Sequence, residues 1–548
     1  MDANLADLFE AVADAVPERE CLVWRDRRLS YADVQQRVRR LANSLLGLGL
    51  GARQERAGLQ PFESGQDHVA LFLYNGPEYL ESMLAAFAGR LAPINVNYRY
   101  TGSELKSLLL DCHARALVYH SSFAPVVAAI RSQLPDLQVL LQVEDDSGEA
   151  LLEGALDYED ALRVASAATP AVQRTADDLY ILYTGGTTGQ PKGVLWRQAD
   201  IYVAAMGGRL RDGREIDSIT TVTERALRGG LRFLPTAPFM HAAHWTAFDA
   251  LLAGHTVVIQ DETQRLDAVS ILRTIERERI NVVLIIGDAF ARPLLDELEK
   301  TPSDLSSVKV LGNGGAVLGV RSKEALLRFL PAGARISDTV GSSETGRQAQ
   351  RESRAGTPAT TGTFNPEPGA CVLSEDLARQ IDIAGDEIGW LAQTGRVPLG
   401  YLGDPEKTAR TFPVVNEIRY SIPGDRARLR SDGSIEVLGR DSTTINTGGE
   451  KVFAEEVEQA LKHHPAVADA IVCGRPHERF GQEVAAIVQL RPGHSATLEQ
   501  LAAACRTELA GYKAPRSVVF VGQVQRSPNG KADYAWAKAE VAKNPKPS

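Results

Sequence analysis

The sequence predicts an α/β protein with a large N-terminal domain of layered α/β subdomains, residues 1–438, and a small α+β domain, residues 439–548. Three observations support this. The chain has 548 residues, more than one compact domain usually contains. Through the first 330 residues, apolar runs typical of buried strands alternate with helical patterns. Near residue 439 the pattern changes to a short succession of helices and strands.

The individual elements follow from the spacing of apolar residues and from turn signals. In the large domain the predicted strands are 69–74, 92–96, 116–119, 138–143, 256–259, 281–286 and 308–311, and the predicted helices are 77–88, 266–278 and 321–329. After hairpins in 419–438, with Asp432-Gly433 as a turn, the small domain is predicted as helix 454–463, strands 468–473 and 483–490, helix 497–509 and strand 517–521. We interpret 206–231 as an irregular insertion or mobile loop and 345–370 as a loop, because both are polar and rich in glycine or proline.

Composition excludes several classes of protein. Hydrophobic residues make up 44% and charged residues 24%, as in ordinary globular proteins, and the net charge of −10 disfavours a nucleic-acid surface. The N-terminus has no basic segment before an apolar one, and an amphipathic helix is predicted there instead of a signal peptide. No apolar run is long enough for a membrane span. The five cysteines lack metal-ligand spacing, which favours reduced thiols in a cytoplasmic protein.

The strongest chemical signal is a loop dense in glycine and threonine. Residues 180–193 are Tyr-Ile-Leu-Tyr-Thr-Gly-Gly-Thr-Thr-Gly-Gln-Pro-Lys-Gly. Glycines let backbone N–H groups converge on an anion, while hydroxyls and a lysine add donors and positive charge. A plain hairpin turn needs no such combination. The segment predicts a polyphosphate site formed by Thr184, Gly185, Gly186, Thr187, Thr188, Gly189 and Lys192.

This loop lacks the Walker spacing and resembles the phosphate loop of the adenylate-forming superfamily, which includes acyl-CoA synthetases, luciferases and the adenylation domains of peptide synthetases. Further segments fit the family in the expected order over nearly the whole chain. The resemblance implies an enzyme that uses ATP and Mg²⁺ to activate a small-molecule carboxylic acid as an acyl-adenylate and then transfers the acyl group to coenzyme A. The segment 285–292 and Trp196 resemble the corresponding residues of actinobacterial acyl-CoA synthetases that act on long or bulky acids, including steroid side-chain acids.

The resemblance also assigns residues around the nucleotide. Glu344, in the segment 338–346, matches the magnesium-binding glutamate, and carboxylate oxygen is a ligand that Mg²⁺ prefers. Thr184, Glu344 and Lys531 are the implied catalytic residues. Lys531, in Arg526-Ser-Pro-Asn-Gly-Lys531, matches the lysine that bridges the carboxylate and the α-phosphate. Asp425 and Arg440 match the ribose-binding pair. The remaining nucleotide contacts are implied at Gly314, Gly315, Ala316, Asp338 and Ser343.

The segment 439–458 resembles the family's hinge and the opening of a mobile C-terminal domain. Two adjacent residues, Asp441 and Ser442, both remain candidates for the pivot. Gly448 and Gly449 are implied to flank the channel for the pantetheine arm of coenzyme A. The glutamates of the following helix, Glu455, Glu456 and Glu458, are expected to form a solvated helix face.

The resemblance implies an acid-binding pocket near residues 238–248 and 285–292. His241 is the candidate that gates the acid, with Trp245 and Phe248 as walls, and Gly287 and Asp288 as further substrate contacts. His244 is expected to be structural. An adenylase that loads a carrier-protein thiol is the alternative, and a non-catalytic nucleotide-binding scaffold is a third hypothesis. The sequence leaves open which acid is used and the oligomeric state, with a homodimer among the options.

Overall fold

The computed structural model describes residues 1–184, 191–210, 212–382, 385–447, 450–477, 481–526 and 530–544. The helices in this part of the chain are α1 (Leu5–Ala15), α2 (Tyr31–Gly47), α3 (Pro77–Ala88), α4 (Gly102–Asp111), α5 (Ala124–Ile130), α6 (Tyr158–Val164), α7 (Gln198–Ala205), α8 (Ile219–Leu227), α9 (Ala243–Leu251), α10 (Ala268–Glu278), α11 (Gly287–Lys300), α12 (Val320–Phe329), α13 (Pro405–Thr411), α14 (Ala454–Lys462), α15 (Leu498–Arg506) and α16 (Tyr534–Lys543).

The strands of the first half are β1 (Glu20–Trp24), β2 (Arg27–Ser30), β3 (His68–Phe72), β4 (Ala92–Asn95), β5 (Ala114–His120), β6 (Val139–Val143), β7 (Leu156–Asp157), β8 (Leu179–Thr184), β9 (Lys192–Arg197), β10 (Arg232–Pro235), β11 (Thr256–Ile259), β12 (Val282–Ile285), β13 (Val310–Gly314), β14 (Arg335–Ser342) and β15 (Gly346–Arg354). Those of the second half are β16 (Thr363–Pro366), β17 (Ala370–Leu373), β18 (Gly389–Thr394), β19 (Gly400–Tyr401), β20 (Val414–Val415), β21 (Ile418–Ser421), β22 (Asp425–Leu429), β23 (Ile435–Arg440), β24 (Ile445–Thr447), β25 (Glu450–Val452), β26 (Val467–His477), β27 (Gly481–Leu490) and β28 (Ser517–Val521).

The first sheet has the strand order β19-β9-β8-β4-β3-β5-β6-β7. Its strands from β8 to β7 run parallel, and both faces are covered by helices. Val69 and Leu71 of β3 pack into the core with α2 and α3, whereas Ala70 and Phe72 pack into the core with α4 and α5. Burial on both faces explains why β3 is apolar without alternation.

The second sheet begins in the order β2-β1-β11-β10-β12-β13-β14-β15-β16 and continues through β23, β22 and β18. One face of its parallel part is covered by α10, α11 and α12. The other side meets the first sheet through a shared core that includes α1, α2, α3 and α9. Helix α3 is buried over its whole length, including Glu78 and Glu81, whose carboxylates form ion pairs with Arg27 and Arg37. This layered arrangement confirms the predicted fold class.

The C-terminal part contains a third sheet, in which β26 and β27 form a long antiparallel pair and β28 lies parallel to β27. Helices α14 and α15 pack on one face and α16 on the other. Strand β23, in the second sheet, extends to Arg440. The domain boundary at residue 439 stays a prediction.

Two of the predicted loops are wrong. Residues 206–231 contain α8, which begins at the N-cap Ser218 and buries Val222 and Ala226 in the same core as α1. Residues 345–370 contain β15 and β16, which pair with each other in the second sheet. Both segments fold because of long-range packing and pairing, which their polar local composition conceals. None of the described helices has the length and apolarity needed to cross a bilayer.

Candidate active site

The carboxyl ends of parallel strands of the second sheet open onto a cleft of about 1980 Å³, as is usual for ligand sites in α/β proteins. Strands β22 and β23 and the segment around Lys531 close the opposite side. The cleft brings together most of the described residues that the sequence predicts for the site, namely Thr184, His241, Trp245, Asp288, Gly314, Gly315, Ala316, Asp338, Ser343, Glu344, Asp425, Arg440 and Lys531. Lys192 and Gly287 are not among the residues that line the cleft. Gly185, Gly186, Thr187, Thr188, Gly189, Gly448 and Gly449 lie outside the described residues.

Two hydrogen bonds from distant parts of the chain hold Glu344, and a third holds the preceding residue, Ser343. The hydroxyl of Tyr401 donates to Glu344 Oε1 at 2.8 Å, and the hydroxyl of Ser421 donates to the Glu344 backbone carbonyl at 2.6 Å. The indole of Trp196 donates to the carbonyl of Ser343 at 2.8 Å. Burial and the neighbouring carboxylate raise the pKa of Tyr401, so this hydroxyl stays a donor. The carboxylate therefore has a defined orientation at the cleft wall.

Two lysines that line or border the cleft have partners of their own. The ammonium of Lys407 lies 4.1 Å from the centre of the Tyr401 ring, and desolvation lowers its pKa, although Glu344 opposes this. Lys192 Nζ lies 3.4 Å from Asp111 Oδ1, at the end of β9 opposite Thr184. Lys407 was missed from the sequence because no local pattern distinguishes it from other helix lysines.

Lys531 reaches the cleft from the C-terminal part of the chain. Its side chain is open to the cleft, yet the surrounding protein desolvates the ammonium and lowers its pKa. Arg440 acts in the same direction, whereas Glu344 and Asp425 oppose it. Gly530 packs against Ile286 of the large domain. A Cβ atom added to Gly530 would lie 3.4 Å from Ile286 Cγ2. The structure thus places Lys531 within electrostatic reach of Glu344, Asp425 and Arg440.

Asp425 and Arg440 face each other across the β22–β23 pair. Arg440 Nε lies 3.4 Å from Asp425 Oδ1. This carboxylate is the main reason why the pKa of Arg440 is raised. The pair presents acceptor oxygens and guanidinium donors side by side, which suits a vicinal diol.

Asp338 is held inside the wall of the cleft. Its carboxylate lies 2.6 Å from Lys323 Nζ and accepts a hydrogen bond of 2.6 Å from Asn313 Nδ2. Asn313 also donates to the carbonyl of Ala316 at 3.0 Å and accepts from the N–H of Gly287 at 2.6 Å. This network fixes the turns after β12 and β13. No local sequence pattern indicates Lys323 or Asn313 as partners of Asp338.

Gly287 and Asp288 connect the same turns to two helices. Gly287 has a φ of +52°, and a Cβ atom there would approach the carbonyl oxygen of Val317 to 2.6 Å, so only glycine fits. Asp288 Oδ1 accepts a hydrogen bond of 3.0 Å from the N–H of Gly319, directly before α12. Substrate contact by either residue stays a prediction.

The region predicted to hold the acid contains two histidines that differ in the hydrogen bonding of their ring nitrogens. Among the described residues, no group hydrogen-bonds His241 Nε2. Desolvation, with Lys531 next, lowers the pKa of His241 to about 3, so this imidazole is neutral. His244 is buried, with Nδ1 2.7 Å from the carbonyl of Phe239 and Nε2 2.6 Å from the hydroxyl of Tyr180. The indole of Trp245 donates to that hydroxyl at 2.8 Å, which fixes the ring at the cleft wall.

The expectation of a solvated glutamate face on α14 is wrong. Glu458 is buried and accepts a hydrogen bond of 3.0 Å from the N–H of Val472. Glu456 lies 2.7 Å from Lys513 Nζ. Glu455 contacts Gly439, at the end of β23. These contacts come from distant parts of the chain, so the helical pattern alone could not reveal them.

Within the described residues, no group of three or more His, Cys, Asp or Glu side chains is arranged to hold a metal ion. A single carboxylate such as Glu344 is nevertheless compatible with Mg²⁺, which is commonly held by one or two carboxylates together with substrate phosphates.

The model of the family described as "AMP-binding enzyme" matches residues 9–385, and the model "AMP-binding enzyme C-terminal domain" matches residues 456–531. The chain belongs to the AMP-binding enzyme family. The predicted family and the predicted class of acid–thiol ligase are confirmed. Members of this family of ligases use ATP and coenzyme A as substrates.

Two relatives agree with this assignment, and a solved structure agrees with the fold. The chain is 51% identical to the medium-chain acyl-CoA ligase Mig of Mycobacterium avium, with 97% of each chain covered. It is 40% identical to the 3-oxocholest-4-en-26-oate–CoA ligase of Rhodococcus rhodochrous, over 100% of this chain and 97% of the relative. The fold matches the anthranilate CoA ligase AuaEII in complex with anthranoyl-AMP with a TM-score of 0.83, 23% identity and coverage of 99% of this chain and 98% of the other.

Proposed function

We propose that this enzyme is an AMP-forming acyl-CoA ligase that activates a hydrophobic carboxylic acid with ATP and transfers the acyl group to coenzyme A. One observation carries the proposal. Lys531, near the C-terminus, shares a cleft with Glu344, Asp425 and Arg440 from the other part of the chain. A non-catalytic protein that only binds a nucleotide would not require Lys531, from the C-terminal part of the chain, in this cleft.

In the first half-reaction, the carboxylate oxygen of the acid attacks the α-phosphate of ATP, and pyrophosphate leaves. We assign Lys531 to the carboxylate and the α-phosphate, where a fixed cation stabilises the charge that develops on the phosphoryl oxygens. Asp425 and Arg440 hold the ribose, and Thr184 with Lys192 contacts the phosphates. Positioning and electrostatics are sufficient for this chemistry, which requires no covalent enzyme intermediate.

Glu344 is the residue we propose for Mg²⁺. Its carboxylate is oriented by Tyr401 and faces the cleft. When bound, the ion would neutralise charge on the phosphates of ATP. Ser343 and the phosphate segment around Thr184 complete the surroundings of the nucleotide in this proposal, and Asp338 supports the adenine side through the turn at Gly314–Ala316.

The acid is proposed to lie along one face of the second sheet. Neighbouring strands place Leu284 beside Gly312, and Gly312 beside Ser337, all facing the cleft. Val282 and Val310 continue this apolar floor away from the nucleotide. Since Gly312 has no side chain, the floor leaves room for a long or bulky acyl group. Together with the relatives' names, this favours medium-chain fatty acids as the first substrate class and steroid side-chain acids as the second.

In the second half-reaction, the thiol of coenzyme A attacks the acyl-adenylate and AMP leaves. We propose that the C-terminal domain, from about residue 439, rotates about Asp441 or Ser442, so that Lys531 withdraws and Gly448 and Gly449 approach. Free coenzyme A is the proposed acceptor, and a carrier-protein thiol is the alternative.

A panel of acids tests the proposed function. Purified enzyme is incubated with ATP, Mg²⁺ and straight-chain acids of six to sixteen carbons or a ring-bearing acid, with and without coenzyme A, and pyrophosphate release is measured. We expect slow, acid-dependent release without coenzyme A and rapid turnover to acyl-CoA with it. Failure of every acid to stimulate release, or turnover only with a carrier protein, would contradict the proposal.

A further inference from the structure

Glu455 connects the C-terminal part of the chain to the strand that carries Arg440. It lies in the first turn of α14, which belongs to the C-terminal core, and its carboxyl group contacts the end of β23. The backbone N–H of Arg440 faces this carboxyl group. A Cβ atom on Gly439 would lie only 1.7 Å from Glu455 Oε2, and Gly439 has a φ of +122°. The contact therefore requires glycine at residue 439.

A continuous path leads from α14 to Lys531. Lys462, in the last turn of α14, lies 3.5 Å from Asp469 of β26. Both carboxylate oxygens of Asp469 accept hydrogen bonds of 2.7 Å from Arg526, which also donates to the carbonyl of Gly530 at 3.2 Å. Lys531 is the next residue. The seating of α14 on β23 thus determines where Lys531 lies in the cleft.

The charges around Glu455 favour its neutral form. Glu458 on the same helix and Asp425 on β22 are acidic, Arg440 on β23 is basic, and Tyr534 begins α16. Desolvation, with Glu458 and Asp425 next, raises the pKa of Glu455 to about 8. A neutral carboxyl group can still accept the N–H of Arg440, whereas an ionised one would be a desolvated charge beside two other carboxylates.

We propose that Glu455 is a positioning residue that holds α14 against β23 and so keeps Lys531 in the cleft for acyl-adenylate formation. This inference rests on the proposed function, because it assigns Glu455 to one of the two half-reactions. Proton loss weakens the contact. Proton loss also favours the withdrawal of Lys531 that precedes thioester formation.

The direction of the pH effect follows from linkage. In the seated arrangement, with α14 packed against β23, the pKa of Glu455 is about 8. When α14 is released and the carboxyl group is exposed to solvent, its pKa has the ordinary value of 4.5. The seated arrangement is therefore favoured most below pH 4.5, loses its advantage as the pH rises towards 8, and changes little above that. Between pH 6.5 and 8.5, the ratio of seated to released forms should fall roughly 25-fold.

The test compares wild-type enzyme with Glu455→Gln, which keeps a neutral acceptor at every pH. Acid-dependent pyrophosphate release without coenzyme A is measured from pH 6.5 to 8.5, and thioester formation is measured separately from preformed acyl-adenylate. We expect the adenylation rate of Glu455→Gln relative to wild type to rise by up to roughly 25-fold over this range, with little change in thioester formation. Glu499→Gln, at an exposed glutamate in the first turn of α15, is the matched control and should follow wild type.

A second measurement covers the case in which Glu455→Gln does not fold. All five cysteines are buried, so Cys introduced at the exposed residues Glu324 and His494 can be labelled selectively with a donor and an acceptor dye. Energy transfer in the enzyme with native Glu455 should change as the pH rises from 4.5 to 8 and level off above that range. Parallel pH profiles for Glu455→Gln and wild type, or energy transfer that does not vary with pH, would overturn the inference. Absence of acyl-adenylate at any pH would instead overturn the proposed function.

Discussion

Removing the Tyr401 hydroxyl tests whether the orientation of Glu344 matters for catalysis. Tyr401→Phe keeps the ring, which is 2% exposed and packs against Phe412, but it removes the 2.8 Å hydrogen bond to the Glu344 carboxylate. A hydrogen bond to a charged group contributes about 1.5–3 kcal/mol. Because 1.4 kcal/mol corresponds to a factor of ten, kcat/KM for Mg·ATP should fall by roughly 10- to 150-fold.

The assay is acid-dependent pyrophosphate release at varied ATP and Mg²⁺, and Tyr119→Phe is the matched control. Tyr119 is also fully buried, and its hydroxyl donates a single hydrogen bond of 2.9 Å to Gln142 in the first sheet, away from the cleft. Both variants should lose about 1–3 kcal/mol of unfolding free energy, but only Tyr401→Phe should lose activity. If kcat/KM of Tyr401→Phe stays within twofold of wild type, Tyr401 does not orient a catalytic carboxylate.

Three further variants test other parts of the site. Lys531→Ala should lower the adenylation rate by roughly 10²–10³-fold yet spare thioester formation from preformed acyl-adenylate, and equal losses in both steps would contradict its proposed role. Lys323→Met leaves the buried Asp338 carboxylate without its cation, and urea unfolding should show a loss of about 3–5 kcal/mol; a change below about 1 kcal/mol would contradict the ion pair. Gly312→Leu should lower the ratio of kcat/KM for a twelve-carbon acid to that for a six-carbon acid by roughly tenfold or more, whereas Gly312→Ala, whose Cβ fits at 3.4 Å from Leu284, should change it little.

Much of the fold could be predicted because its signals are local. Helix α3 has Pro77 at its first position and apolar residues over most of its length, and the predicted range 77–88 matches the structure. Strand β3 is short, apolar and followed by a turn, so its position was also predicted. Helix α8 and strand β15 were missed because what stabilises them, the core shared with α1 and the pairing with β14, lies far away in the sequence.

The candidate site shows the same division between local and distant signals. Segment patterns identified Glu344, Asp425 and Lys531, and the structure brings all three to one cleft. Their supporting residues carry no motif. Tyr401 matters through the carboxylate that it contacts, and Glu455 through the glycine against which it packs. Only the folded arrangement shows such pairs, because each joins residues more than ten positions apart in the chain.

Isotope exchange between labelled pyrophosphate and ATP, without coenzyme A, tests most directly whether acid and nucleotide react in this cleft. We predict exchange that depends on a hydrophobic acid and falls by roughly 10²–10³-fold in Lys531→Ala. Exchange that persists at the wild-type rate in Lys531→Ala, or that no acid supports, would contradict the account.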